Sequence, residues 1–315
     1  MPHCVILAAG KGTRMKSPIP KVLHPVLGRP MILRVAETAR KAGCRRVTAV
    51  IGFGRDLVAP VLREEDVQWV VQEPQLGTAH ALGCAGPRWE GASEVLVLLG
   101  DVPLLRADTV VSLLEARRKT DAALAVLTAE PPDPSGYGRV IRNGDGAVAR
   151  IVEHRDASDL ERECREVNTG IMVFRGEGLP ALLDSIDNGN AQGEYYLTDA
   201  VEKALARGLG VEAVKARDWP EVRGVNDPLH LAECTRVLKR RVTEELLLSG
   251  VVIPDPDGVW IEDSAVVEPG AYIGRHCRVS GRSHISSLAR LLDFCVVENA
   301  RVDCELPEGS VRSGS

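Results

Sequence analysis

From residue 261 onward an aliphatic side chain returns at every sixth position: Ile261, Val267, Ile273, Val279, Ile285, Leu291 and Val297. Four places after each stands Ala265, Ala271, Cys277, Ser283, Ala289, Cys295 and Arg301, and all but the last are small. This hexapeptide repeat is the pattern of a left-handed parallel β-helix, in which the aliphatic residue points inward and the small one fits a corner. The pattern fails at Asp303, so about two coils are expected. A solenoid this short has a thin core and an exposed end. It must be capped, packed on a partner or trimerised.

The first half of the chain has another texture. Strands are expected at Cys4–Ala8, Val47–Ile51, Val67–Val71, Val95–Leu99 and Ala122–Leu127. Helical patterns lie between them at Met31–Lys41, Asp56–Leu62, Thr78–Cys84 and Asp108–Arg118. Such alternation implies right-handed crossovers and a mostly parallel sheet with helices on both faces. Further strands are expected at Tyr137–Ile141, Ala147–Val152 and Thr169–Phe174, and helices at Thr198–Arg207 and Pro228–Leu248, the last suited to connecting two domains. Ligands of such a sheet sit at the carboxyl ends of its strands, where strand order reverses. Gly10 and Asp101 both lie at such ends.

With 315 residues the chain has room for a large domain and a smaller one. Its net charge of −5 argues against a general nucleic-acid binder. Arg236, Lys239, Arg240 and Arg241 share a helical pattern with Glu244 and Glu245 and read as a solvated face. The 8 cysteines are widely spaced with no C-x-x-C, which points to a reducing compartment and to small core residues. The N-terminal apolar run breaks at Gly10, unlike a signal peptide. No apolar run approaches the roughly 20 residues that span a bilayer. A cytoplasmic protein with no membrane partner is expected.

Gly10 and Gly12 form a G-x-G whose bare backbone can close around phosphate oxygens, with Arg14 and Lys21 as nearby cations. Position 15 is Met15, so the dinucleotide fingerprint is incomplete, and the P-loop spacing does not fit either. The whole stretch Leu7–Lys21 instead resembles the signature of sugar-phosphate nucleotidyltransferases, L-x-x-G-x-G-[ST]-R-[ML]-x(4)-P-K. Gln72–His80 resembles the uracil-recognition segment Q-x-x-Q-L-G-T-x-H. Ser135–Arg139, Ile151–His154, Glu166–Gly170 and Gln192–Asp199 resemble four further motifs of the same family. Through its first 230 or so residues the chain is similar to the bacterial N-acetylglucosamine-1-phosphate uridyltransferase family.

The resemblance implies a Rossmann-like nucleotidyltransferase domain over 1–227, a connecting helix over 228–250 and the short β-helix with its tail over 251–315. It implies that UTP meets Leu7, Ala8, Ala9, Gly10, Gln72, Gln75, Gly77 and Thr78. N-acetylglucosamine 1-phosphate would meet Gly138, Glu153, Asn168, Tyr195 and Thr198. Asp101 and Asn226 would hold Mg²⁺, a thin set of oxygen donors that suits an ion keeping waters and substrate oxygens. Arg14, Lys21 and Asp101 would be the catalytic set, giving UDP-N-acetylglucosamine and pyrophosphate. Only the first coils of the family's acetyltransferase β-helix have counterparts here, so acetyl transfer is not expected, and homotrimer formation depends on whether a short coil stack suffices. Two other readings stay open: a pyrophosphorylase for another sugar phosphate or nucleotide, and a non-catalytic nucleotide-sugar-binding subunit.

Overall fold

The computed structural model describes residues 1–314. It divides into two compact units, Met1–His24 with Pro30–Pro228, and Pro25–Arg29 with Leu229 onward.

The first unit is built on a nine-stranded sheet. Its strands are β1 Pro2–Ala8, β2 Arg46–Ile51, β3 Gln68–Val71, β4 Glu94–Leu99, β5 Leu124–Ala129, β6 Arg139–Arg142, β7 Val148–Val152, β8 Val167–Arg175 and β9 Val211–Lys215. Their spatial order is β9-β5-β8-β4-β1-β2-β3, with β6 joined to β8 and β7 to β6. β1 runs parallel to β2 and β4, β2 to β3, and β5 to β9. β8 lies antiparallel between β4 and β5, so the sheet is mixed but mostly parallel. The chain steps outward from β1 to β3 and then returns to β4 on β1's other side. Strand order therefore reverses at β1, and the crevice beyond the carboxyl ends of β1 and β4 is the natural ligand position.

The sheet is covered on both faces. α1 Met31–Lys41, α2 Arg55–Glu64 and α4 Ala107–Thr120 contribute to one layer. α3 Thr78–Cys84 and α5 Asp199–Ala206 contribute to the other. Successive residues of β1 choose opposite layers, Val5 with α3 and Ile6 with α1, as a strand's two-residue period requires. Val95, Leu96, Val97 and Leu98 are all fully buried, which explains the unbroken apolar run of β4. β9, absent from the sequence expectations, is an edge strand whose V-E-A-V-K alternation is only half-buried.

The second unit holds most of the 22-residue helix Pro228–Ser249 and ten short strands. The strands form three parallel ladders. One runs Trp260–Ile261, Arg278–Ser280, Val296–Glu298, Val311–Ser313. The second is Val266–Val267, His284–Ile285, Arg301–Val302, and the third Tyr272–Ile273, Arg290–Leu291, Glu305–Leu306. This is a parallel β-helix of three coils with a fourth begun, rather than the two expected. The reason lies in the corners. Ile261, Val279 and Val297 pair in steps of 18 residues, but Ile285 pairs Val302 after 17 and Leu291 pairs Leu306 after 15. The last coil is shortened, so the six-residue count breaks while the ladder continues. Ala300 takes the corner expected of Arg301, its amide 3.4 Å from Ser283 Oγ, and Arg301 turns outward to Asp303. Ile273, Val279, Ile285, Leu291 and Val297 are fully buried, stacked as the repeat requires.

Candidate active site

β1 delivers the chain to Ala9 and the glycine turn. Gly12 has φ +58°, and a Cβ there would lie 2.6 Å from Lys21 Cβ. Gly12 thus lets the stem of Lys21 pack against the turn. Gly10 differs, since a Cβ there would meet nothing within 4 Å. Its bareness faces open space, as a phosphate cradle would need. Arg14, in the turn Thr13–Met15, is exposed and makes no ion pair among the described residues. Met15 beside it is buried and anchors the turn.

Asp101 follows β4 through Gly100, whose amide donates to Leu7 O at 3.0 Å. Val225 N donates to Asp101 O at 2.8 Å and draws Asn226 alongside. Lys21 Nζ donates to Asp101 Oδ2 and lies 3.4 Å from Asn226 Oδ1. A carboxylate oxygen and an amide oxygen from distant segments therefore converge on one positive charge. That convergence fits a divalent cation completed by water and phosphate oxygens. Among the described residues no cluster of three His, Cys, Asp or Glu exists; a cation at this place would rest on the oxygens of Asp101 and Asn226.

Lys21 and Asp101 border a cavity of about 310 Å³, whose lining includes neither Asn226 nor Arg14. Leu7, Ala8, Ala9, Gly10, Lys21, Gln72, Gln75, Gly77, Thr78 and Asp101 all line it, with Val22, Ala81, Leu99 and Glu194. The last four were not foreseen; Glu194 stands in a motif expected to serve the sugar. Gln75 Nε2 donates to Ala9 O at 2.6 Å and ties the glycine turn to the Gln72–Gly77 segment. Gln72 is buried, and its Nε2 donates to Gly77 O at 2.9 Å. Gly77 has φ +115°, and a Cβ there would lie 2.5 Å from Tyr195 O and 2.7 Å from Tyr195 N. Its bareness admits a main chain from 118 residues later. That segment is pinned by Ala79 N donating to Tyr195 O and by Leu197 N donating to Thr78 Oγ1, each at 2.9 Å. Thr78 and Tyr195 thus have structural bonds in addition to the binding roles expected of them.

The remaining expected residues form a second group. Thr198 Oγ1 donates to Glu153 Oε1 at 3.1 Å. A Cβ on Gly138 would touch that carboxylate at 3.4 Å. Asn168 N donates to Gly138 O at 2.9 Å, and its Oδ1 accepts from Gly170 N at 3.1 Å. Burial raises the Glu153 carboxyl above its ordinary value, opposed by the Thr198 hydroxyl and reinforced by Asp156. Asp199 is pushed up to about 6, chiefly by burial and then by Asp187. The Glu194–Thr198 segment runs from the cavity wall to this group, so one stretch serves both.

The family described as the MobA-like NTP transferase domain matches residues 4–167. A bifunctional protein GlmU from Pelotomaculum thermopropionicum is 50% identical over 264 residues, 84% of this chain and 58% of its own length. Its counterpart from Pelobacter propionicus is 42% identical over 315 residues, 99% of this chain and 68% of its own length. The chain belongs to the GlmU family. A third GlmU relative, from Cupriavidus pinatubonensis, is 42% identical over 301 residues, 96% of this chain and 66% of its own length. The chain thus spans between 58% and 68% of the length of these GlmU relatives. Among the described residues no helix is long and apolar enough to cross a membrane.

His80, at the end of the Gln72–His80 segment, adjoins the cavity wall through Gln72. His80 Nδ1 lies 3.1 Å from Gln72 Nε2, and its Nε2 lies 3.7 Å from Cys84 Sγ. The spacing of Thr78–Cys84 as a helix places His80 and Cys84 one turn apart. That spacing was the available signal.

Proposed function

We propose that this chain transfers a uridylyl group from UTP to N-acetylglucosamine 1-phosphate and releases pyrophosphate. The observation that supports the reading is the meeting of Lys21 and Asp101, with Asn226 Oδ1 3.4 Å from the same Lys21 Nζ, beside a cavity walled by the glycine turn and the Gln72–Thr78 segment. A phosphate-binding turn and a polar base wall on one cavity suit a nucleoside triphosphate, and the Glu153–Thr198 group offers acceptors for sugar hydroxyls.

The chemistry needs no protein base, because the phosphate oxygen of the sugar ester is already anionic near neutral pH. That oxygen forms a bond to the α-phosphorus of UTP. The bond from the α-phosphorus to the bridging oxygen breaks, and its electron pair leaves with pyrophosphate. Catalysis is then positioning and charge neutralisation. The Lys21 ammonium steadies phosphate charge near the reacting centre. Arg14, free at the turn, grips the leaving pyrophosphate. The Gly10 backbone approaches the phosphates without a side chain in the way. Glu153, Asn168 and Thr198 orient the sugar, with Gly138 leaving room beside the carboxylate. A divalent cation such as Mg²⁺, held by Asp101 and Asn226, supplies Lewis-acid neutralisation of phosphate oxygens when bound. Eight free cysteines agree with a reducing compartment such as the cytoplasm.

Pyrophosphate release tests the reading. UTP with N-acetylglucosamine 1-phosphate should give rapid release that stops with EDTA. CTP, dTTP or unacetylated glucosamine 1-phosphate should be much poorer. Preference for another pair would point to a different pyrophosphorylase, and nucleotide-sugar binding without release would point to a non-catalytic subunit.

A further inference from the structure

The polar wall of the cavity contains a hydrogen-bond chain that reaches outside it. It runs from Gly77 O through the Gln72 amide and the His80 ring to Cys84 Sγ. Its polarity can be worked out. A carbonyl oxygen only accepts, so the amide nitrogen of Gln72 must face Gly77 O. The same nitrogen lies 3.1 Å from His80 Nδ1 and can only donate there as well. His80 Nδ1 must then carry its lone pair, and the ring proton sits on Nε2, toward the sulfur. Both amide hydrogens of Gln72 are thereby engaged by protein, one by Gly77 O and the other by His80. Its Oε1 has no protein donor among the described residues.

We infer that His80 is a positioning residue for base selection: by accepting the second Gln72 N–H it leaves Gln72 Oε1 as the one amide atom offered to the nucleotide. This rests on the proposed function in one respect, that the base lies against Gln72. An acceptor at that place favours a base edge with an N–H, such as the imino group of uracil. It disfavours an edge with a lone pair in the same position, such as N3 of cytosine. Without His80 the amide keeps a single bond to Gly77 O. With only that bond to break, the amide can flip its N–H group toward the cavity and satisfy the wrong base as well. Selection therefore depends on a residue that does not itself line the cavity.

Equilibrium binding of UTP and of CTP to the full chain, with and without Mg²⁺, provides the test and needs no turnover. His80→Leu should narrow the UTP-over-CTP preference about tenfold, the scale of one hydrogen bond. His80→Asn, whose Oδ1 falls near the place of Nδ1, should restore most of the preference. His80→Gln, which lacks an acceptor there, should behave like the leucine variant and replaces it if that variant fails to fold. The KM for the sugar phosphate should not change in any of them. Equal weakening of both nucleotides would show a packing role only and overturn the inference, as would an unchanged ratio. If the unaltered chain binds neither nucleotide, the proposed function and the inference fail together. If it binds UTP selectively and the variants keep that selectivity, only the inference fails.

Discussion

The mixed sheet and the coil stack solve the packing problem in opposite ways. In the stack every inward residue rests on one about 18 positions away, as Ile261 does on Val279. Contacts are local, repeated and nearly interchangeable. In the sheet unit Lys21 meets Asp101 from 80 residues away and Asn226 from 205. Gly77 is shaped by a main chain 118 residues later. Long-range meetings of unlike residues are what a site needs, and a ladder of like residues cannot supply them. The expected effects of substitution should divide along the same line.

The largest effect belongs to Gly77→Ala. The positive φ and a 2.5 Å approach to a carbonyl oxygen act together. Strain of about 3 kcal/mol or more is expected, read as a large fall in denaturation midpoint with complete loss of pyrophosphate release. Asp101→Ala should leave the fold intact while turnover drops roughly 10²–10³-fold, the scale of losing one positioned charge-stabilising group. A stable variant with near-normal turnover would remove Asp101 from the mechanism.

Leu291→Ala opens a cavity in the stack and should lower its stability by about 2–5 kcal/mol. Uridylyl transfer by the sheet unit should barely respond; a matching loss of turnover would show that the two regions are coupled. His3 gives a pH-dependent effect of similar size. Burial, and secondarily Arg46, lowers its pKa from 6.5 to about 4. The unfolded chain then takes up this proton near pH 6.5 while the folded chain resists until about 4. Its stabilisation is full above pH 6.5 and is lost as pH falls through 4, about 3 kcal/mol in all. Chemical denaturation across that window should show a flatter profile for His3→Gln, whose amide can keep the Thr48 contact. The smallest stability change belongs to Gly10→Ala, within about 0.5 kcal/mol, because its Cβ enters open space. Turnover should nonetheless fall about tenfold, the scale of one lost hydrogen bond, if that space holds phosphate.

The two regions also differed in how far the sequence revealed them. The stack was legible as a period, and the reading stopped where the period did. Coil shortening after Glu298 hid the third coil, because Ala300, Val302 and Leu306 keep their places in space but not in count. In the sheet the buried runs of β1 and β4 announced themselves, while half-buried β9 did not. The glycine turn was legible as bare backbone at a strand end, and it lines the cavity. The reason for Gly77 was not, since nothing near position 77 indicates that residue 195 will lie against it. His80 stayed silent for a related cause: its partner is a side chain from the preceding loop, and motif spacing carries no direction for hydrogen bonds.

The contact at Gly77 has a practical consequence for anyone who wishes to reshape the cavity. The opposing atoms are peptide nitrogen and oxygen, which every amino acid at position 195 would present alike. No second-site exchange of side chains can create room there. Redesign of that wall has to work through Gln72, Gln75 or Ala81 and leave that crossing of two strands of chain untouched.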